Sequence, residues 1–286
     1  MENHIRIRTD LASEAHRLLQ NGRKDLSPLP GIEAREERRE GCSLFRVRVL
    51  DEQGARALGK PAGAYCTLET ERLVSRGDPR FGPLAETLAS LIREMLGSTD
   101  GLTLVAGLGN PEITPDALGP LAARDVFPTR HLKAAGAPLF EGCGEVAVCT
   151  PGVLAASGIE SARQIVALCQ EIRPDRAVVI DALAGAEPGR LCRTVQLADS
   201  GIAPGSGVGN DRAPLSRDTL GLPVLAVGIP TVVDGSRWGD ESLRGFFLTP
   251  RSIDEAVRCG ARLIGYALDL ALHPGLRLED VSGLLE

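Results

Sequence analysis

Four short apolar runs separated by helical stretches dominate the hydrophobic pattern of the chain. The runs begin at Leu102, Glu145, Ala177 and Pro223, and Gly, Pro or Asp residues end them. Helical periodicity lies between them, most clearly over residues 159–171. A parallel connection needs a long crossover, so this alternation predicts an α/β fold with a mainly parallel twisted sheet and helices on both faces.

The flanking segments predict further elements. Helices are expected over residues 11–19, 79–96 and 253–272, the last with a clear apolar face. Residues 43–50 alternate between apolar and polar side chains, as a half-buried strand does, and residues 65–68 predict a second strand.

Polar, turn-rich residues directly follow three of the four apolar runs. They occupy residues 110–119, 181–185 and 231–235. Ligand sites in open α/β sheets lie beyond the carboxyl ends of the strands. The sequence therefore predicts that these three segments share one edge of the sheet and carry the chemistry.

Charge and composition exclude some partners. The net charge is −6, from 38 acidic and 32 basic residues without a long basic run, so nucleic acid is not expected as a partner. The charge run over residues 33–40 is interpreted as a solvated face or a mobile segment. Neither a signal peptide nor a membrane span is recognisable, which predicts a cytoplasmic protein.

The cysteines are interpreted as reduced structural thiols. There are seven of them, an odd number, and they form no Cys-x-x-Cys pair. Most lie in apolar segments, where a free cysteine behaves as a small hydrophobic residue.

The densest motif is the glycine turn that follows the first apolar run, Gly107-Leu-Gly-Asn-Pro-Glu-Ile-Thr-Pro-Asp. It is not a dinucleotide fingerprint, because Glu112 replaces the third glycine and its carboxylate would repel a pyrophosphate. The motif offers Asn110, Glu112 and Asp116 as site residues. A purely structural loop is the alternative.

Asp181 ends the third apolar run, where a carboxylate has no packing role. It either caps the next helix or belongs to a site. If the fold brings Asp116 within a few ångströms, repulsion raises one pKa and the pair shares a proton. One carboxylate then activates water, while the protonated partner polarises a carbonyl or assists the leaving nitrogen, with no metal or other cofactor.

Other candidates carry less specific signals. The four histidines lack metal-ligand spacing, and His131 is interpreted as structural or surface, with metal binding left open. Ser206 lacks the Gly-x-Ser-x-Gly spacing, and the glycines around it suggest a mobile loop or a backbone surface for an extended peptide. Asp234 is a reserve third acid at the same edge.

Several segments together, in order and spacing, resemble the germination protease family, of the peptidase A25 type and related to hydrogenase maturation endopeptidases. The matching segments run from near the N-terminus almost to the last helix: Thr9-Asp-Leu-Ala, Leu108-Gly-Asn, Thr114-Pro-Asp-Ala-Leu-Gly-Pro, Thr129-Arg-His-Leu, Pro151-Gly-Val, Ile180-Asp-Ala-Leu-Ala, Ser206-Gly-Val-Gly-Asn, Gly228-Ile-Pro-Thr-Val-Val-Asp and Thr249-Pro.

The resemblance implies a phosphorylase/hydrolase-like fold similar to that of hydrogenase maturation proteases. It further implies an endopeptidase that begins the degradation of small acid-soluble spore proteins in the forespore or spore core. The family's catalytic aspartates fall on Asp116 and Asp181. Family members are homo-oligomers, which implies a tetramer here.

The resemblance also implies a zymogen that removes its own N-terminal segment. The family cuts after an acidic residue and before Leu, Ile or Phe, and Asp10-Leu11 matches such a site. We therefore expect a propeptide over residues 1–10 and a single α/β peptidase domain over residues 11–286. The chain departs from the family in the short segment between Asp234 and the last helix.

The sequence is also compatible with two alternatives. One is a nickel-dependent endopeptidase of the hydrogenase-maturation type, which would hold its metal through acidic and histidine ligands. The other is a non-catalytic peptide-binding domain, in which the glycine-rich edge holds an extended strand and the aspartates cap helices.

Overall fold

The computed structural model describes residues 9–22, 28–39, 41–209, 212–235, 241–243 and 245–285. Nine strands form one sheet in the order β1-β2-β3-β7-β8-β6-β4-β5, with β9 beside β8. The strands are β1 (Ile32–Arg39), β2 (Cys42–Val49), β3 (Gly63–Thr70), β4 (Leu102–Gly107), β5 (Glu145–Cys149), β6 (Arg176–Gly185), β7 (Thr194–Ala198), β8 (Val224–Asp234) and β9 (Phe247–Leu248).

Helices cover both faces of this sheet. They are α1 (Ala12–Asn21), α2 (Glu52–Leu58), α3 (Phe81–Leu96), α4 (Leu118–Arg124), α5 (Arg130–Ala134), α6 (Leu154–Ser157), α7 (Ser161–Ile172), α8 (Arg217–Leu220), α9 (Ile253–Leu272) and α10 (Leu278–Leu285). The largest hydrophobic cluster packs α3, α4 and α9 against one face. Two smaller clusters pack α1 and α7 against the other. The predicted α/β class, with helices on both faces, is confirmed.

The four predicted strands β4, β5, β6 and β8 form the parallel part of the sheet. β4 pairs with β5 and β6, and β6 pairs with β8, all in parallel. Every residue of β4 is buried, which explains its unbroken apolar sequence. The carboxyl ends of these strands therefore lie at one edge, as the sequence predicted.

An antiparallel extension adds the remaining strands. β1, β2, β3 and β7 pair in antiparallel order, and β7 and β9 flank β8. The sequence did not predict β7. It also predicted no strand in the charge run, although its solvated character is confirmed, because every residue of β1 after Ile32 is exposed. Hydrogen bonding to β2 holds this segment, and its charges discourage edge-to-edge association.

All seven cysteines are free thiols, and burial raises the pKa of Cys66 and Cys192 to about 11 and that of Cys149 to about 12. These thiols stay protonated at neutral pH, as structural thiols do. Within the described ranges, no helix has the length and apolarity that a bilayer crossing requires.

Candidate active site

The loop after β4 is pressed closely against the end of β6. The backbone N–H of Leu108 donates to the carbonyl of Ile180 at 2.8 Å, which extends the strand pairing by one residue. A Cβ on Gly119 would lie 2.2 Å from the Leu108 oxygen and 2.5 Å from the Ile180 oxygen. Glycine at position 119 is therefore required for the loop to reach the strand that carries Asp181.

Asp116 ends a 3₁₀ turn, Thr114–Asp116, within this loop. Its Oδ2 accepts a 2.7 Å hydrogen bond from the backbone N–H of Asn110. Thr231 of β8 donates through Oγ1 to the carbonyl of Pro115 at 2.7 Å. Gly109 has φ +116°, and a Cβ there would lie 2.0 Å from the Asp116 carbonyl oxygen. The glycine turn thus fixes the Asp116 side chain.

Asp181 lies inside β6 rather than at a helix end. β6 continues to Gly185, and Asp181 Oδ1 accepts a hydrogen bond from the next backbone N–H, that of Ala182, at 2.9 Å. The helix-capping alternative is therefore wrong. Asp181 is 5% exposed, so its carboxyl group is almost fully removed from water.

The two carboxyl groups have raised pKa values of different size. Burial raises the pKa of Asp181 well above its ordinary value, and the charges of Asp116 and Asp10 raise it further. Burial also raises the pKa of Asp116, but the Asn110 N–H and the charge of Arg212 oppose this. Asp181 therefore retains a proton in the pH range where Asp116 loses its own. Such a pair can act as acid and base together.

A cavity of about 390 Å³ joins these carboxylates to the N-terminal segment. Its charged lining consists of Asp10, Asp116, Asp181, Glu160 and Arg212. Apolar walls surround them, including Leu108, Ile113, Leu183 and Phe247. The mixture of apolar walls and a few convergent charges is typical of a ligand site at the carboxyl edge of an α/β sheet.

Asp10 lies at this cavity and is held by β6. Its backbone N–H donates to the Ala184 carbonyl, and its Oδ2 accepts from the Ala184 N–H, both at 2.8 Å. Ser206 Oγ donates to Asp10 Oδ1 at 3.0 Å. Half-buried Lys60 adds a nearby positive charge. Burial lowers the pKa of Lys60, while the carboxylates of Asp10 and Glu14 oppose that shift.

The next residues after Asp10 enter the protein interior. Leu11 is fully buried, and its backbone N–H donates to Thr9 Oγ1 at 3.1 Å. Thr9 in turn donates to the buried carboxylate of Glu14, which also accepts from the N–H groups of Ala186 and Glu187. Residues 9–14 are therefore docked tightly beside the cavity that Asp116 and Asp181 line.

The remaining predicted site residues are placed differently. Glu112 is exposed, and its backbone N–H donates to Asn110 Oδ1 at 3.0 Å. Asn110 contributes a backbone N–H rather than its side chain to the site. Asp234 pairs with Phe247 in the sheet and does not line the cavity. His131 is exposed.

Sequence reasoning missed Gln196, Lys60 and Arg212. Gln196 is a buried amide between Val195 and Leu197 in β7, and that contrast with its apolar neighbours was the available signal. Lys60 and Arg212 lie in segments with no distinctive pattern. In the part of the chain that the structure describes, no group of three or more His, Cys, Asp or Glu side chains could hold a metal ion.

Known proteins are similar in sequence to this chain over most of its length. The sequence model of the germination protease family matches residues 11–245. A germination protease of Caldanaerobacter subterraneus subsp. tengcongensis is 36% identical over 98% of this chain and 98% of its own length. Those of Clostridium tetani and Bacillus cytotoxicus are 34% and 40% identical, covering 98% and 80% of this chain and 99% and 63% of their own lengths.

A solved structure is also similar. The [NiFe] hydrogenase maturation protease of Thermococcus kodakarensis aligns with 62% of this chain and 98% of its own, at 21% identity and a TM-score of 0.37. That likeness is too low for an argument about fold or activity. The sequence matches cover most of the chain, and they show that the chain belongs to the germination protease family.

Proposed function

We propose that the chain is an endopeptidase of spore germination that uses Asp116 and Asp181 as an acid–base pair. The observation that carries this proposal is the shared cavity, in which two carboxyl groups with raised pKa values lie beside the docked Asp10-Leu11 junction. Family membership supplies the reaction class, and the paired carboxyl groups supply a mechanism for it.

Each aspartate has a distinct role in the proposed reaction. Ionised Asp116 takes a proton from water, and the water oxygen bonds to the peptide carbonyl carbon. Protonated Asp181 gives its proton to the peptide nitrogen as the carbon–nitrogen bond breaks. A proton then passes from Asp116 to Asp181, which restores the starting state. The step uses no metal or other cofactor.

The proposal includes activation of a zymogen by its own active site. Residues 1–10 would be a propeptide and residues 11–286 the peptidase, with the cut between Asp10 and Leu11. The bonds from Ala184 and Ser206 to the Asp10 carboxylate support this assignment, because they recognise an acidic side chain before the cut. The substrates would be small acid-soluble spore proteins, the enzyme a homo-oligomer, and its location the forespore or spore core.

Asparagine variants test the proposal. The full chain, Asp116→Asn and Asp181→Asn are incubated at mildly acidic pH, and mass spectrometry follows the N-terminus. The unmodified chain should yield a product that begins at Leu11. Each variant should lose about 10²–10⁴-fold in rate, the usual contribution of general acid–base catalysis. Exposed Asp218→Asn is the matched control.

Two outcomes would overturn this assignment. If either aspartate variant cuts at the normal rate, Asp116 and Asp181 are not the catalytic pair. If the product begins at another residue, Asp10-Leu11 is not the bond that is cut. A parallel reaction, with a small acid-soluble spore protein as substrate and a chelator added, tests whether cleavage requires a metal ion. Loss of cleavage with the chelator would favour the nickel-dependent class instead.

A further inference from the structure

Gln196 makes two hydrogen bonds that the proposed acid–base mechanism does not use. Its Nε2 donates to the backbone carbonyl oxygen of Asp10 at 2.7 Å. Its Oε1 accepts from the backbone N–H of Ala12 at 2.6 Å. One amide side chain therefore holds the peptide groups on both sides of Leu11. The carbonyl that it contacts belongs to the bond proposed to be cut.

Strand register places Gln196 on the same face as Asp181. Gln196 pairs with Gly228 across β7 and β8, and Gly228 pairs with Asp181 across β8 and β6. Paired residues on neighbouring strands project to the same side of a sheet, so the two side chains stand two strand spacings apart, roughly 9–10 Å between their Cα atoms.

The residue between them, Gly228, is closely covered. A Cβ on Gly228 would lie 2.6 Å from both the Asp181 carbonyl oxygen and Leu183 Cγ. The absence of a side chain at this position lets the Leu183 side chain lie over the sheet there. The Asp10 carbonyl meets Gln196 on this face, and Asp10 is close enough to raise the pKa of Asp181.

The chemistry of peptide cleavage gives this contact a role. When water adds to the carbonyl carbon, negative charge collects on the carbonyl oxygen, and a fixed N–H donor stabilises that charge. Gln196 is 6% exposed and stands on a paired strand, so its amide is rigid and shielded from water. The amide does not titrate near neutral pH, so it donates in every protonation state of the aspartates.

We propose that Gln196 is a catalytic residue that stabilises the oxyanion at the cut peptide bond through Nε2. Its Oε1 holds the N–H of the second residue after the cut. This inference rests on the proposed function, because it takes Asp10-Leu11 as the bond cut. After the cut Ala12 stays in the peptidase and keeps its bond to Oε1, so Nε2 is the donor that becomes free for the carbonyl of an external substrate.

The test compares first-order autoprocessing of the full chain in two Gln196 variants. Gln196→Met removes both hydrogen bonds with little change in size. Gln196→Glu keeps an oxygen for the Ala12 N–H and loses the donor only at a pH where its buried carboxyl group is ionised. Gln196→Met at every pH, and Gln196→Glu once it is ionised, should slow the appearance of the Leu11 N-terminus about 10²–10³-fold, the usual effect of losing one oxyanion donor. Gln164→Met on α7 is the matched control and should process normally.

A second measurement separates catalysis from docking. Hydrogen exchange of residues 9–14 is followed in the Asp181→Asn background, where the chain stays uncut. With Gln196→Glu any loss of protection in the segment should be much smaller than the loss of processing rate. Loss of protection in proportion to the loss of rate would show that Gln196 only positions the segment, and the catalytic role would be wrong.

The failure of this inference is distinguishable from failure of the proposed function. If the unmodified chain does not cut at Asp10-Leu11, or if Asp181→Asn cuts normally, the proposed function fails. If those two behave as expected and Gln196→Met still cuts at the normal rate, the role of Gln196 alone is refuted.

Discussion

The charge of Asp116 raises the pKa of Asp181, although the two residues belong to different segments of the fold. Burial is the larger cause, and the Asp10 carboxylate adds to it. Asp116 itself is less buried and receives a backbone hydrogen bond. The same site therefore contains one carboxyl group that keeps its proton and one that releases it more easily, which is the asymmetry that acid–base catalysis requires.

The first prediction concerns the pH dependence of autoprocessing. The reaction needs ionised Asp116 and protonated Asp181, and both pKa values lie above the ordinary 3.8. The rate should rise with pH as Asp116 ionises and fall again as pH passes the higher pKa of Asp181, giving a bell with mildly acidic conditions favoured. First-order rates measured across pH check this. A rate that climbs steadily from neutral to alkaline pH would contradict it.

The second prediction concerns Arg212, whose positive charge lowers the pKa of both aspartates. Arg212→Met removes that charge, so both pKa values should increase. Both limbs of the bell-shaped profile should then move to higher pH, and the variant should keep more of its activity on the alkaline side. Exposed Arg217→Met is the control and should leave the profile unchanged. A shift of the pH–rate profile to lower pH would contradict the role assigned to Arg212.

The sequence predicted the parallel strands that carry the site better than the antiparallel strand and the long-range contacts that complete it. Helix α9 has the predicted bounds, and strand ends placed Asp116 and Asp181 at one edge because the apolar runs were long and continuous. β7 was missed, since it is five residues long and interrupted by Gln196. Its pairing with β3 and β8 depends on tertiary contacts that no local pattern encodes.

The docked N-terminus shows the same limit. The resemblance predicted processing at the Asp10-Leu11 junction, but the hydrogen bonds that hold this segment come from Ala184, Gln196 and Ser206, all more than 170 positions along the chain. Periodicity describes which face of an element is buried, not which distant side chain meets it. Asp234 and Glu112 illustrate the reverse, because position near a strand end did not bring either into the cavity.

The third prediction concerns recognition of the acidic residue before the cut. Ser206→Ala removes the hydroxyl that donates to Asp10 Oδ1, while the Ala184 N–H still donates to Oδ2. Ser206 is exposed, so the loss should be small, about 0.5–1.5 kcal/mol or roughly two- to tenfold in processing rate. Ser98→Ala, on the loop before β4, is the control. An unchanged rate would show that the hydroxyl does not contribute to recognition.

The fourth prediction concerns Gly228, which separates Gln196 from Asp181 in the sheet. In Gly228→Ala the new methyl group would meet the Asp181 backbone and the Leu183 side chain at 2.6 Å, so β6 or β8 must shift. Overpacking of this kind typically lowers the free energy of unfolding by about 1–3 kcal/mol. The same shift should slow autoprocessing by more than the loss of folded protein explains.

Gly189→Ala is the matched control for this change, because a Cβ there meets nothing within 4 Å and the backbone is not in the left-handed region. Chemical denaturation gives the free energy of unfolding, and N-terminal mass spectrometry gives the processing rate. If Gly228→Ala destabilises the fold but the folded fraction processes normally, the close packing between Gln196 and Asp181 has no catalytic importance. A loss of rate larger than the change in stability explains would instead mean that the spacing of Gln196, Gly228 and Asp181 across the sheet is part of the active site.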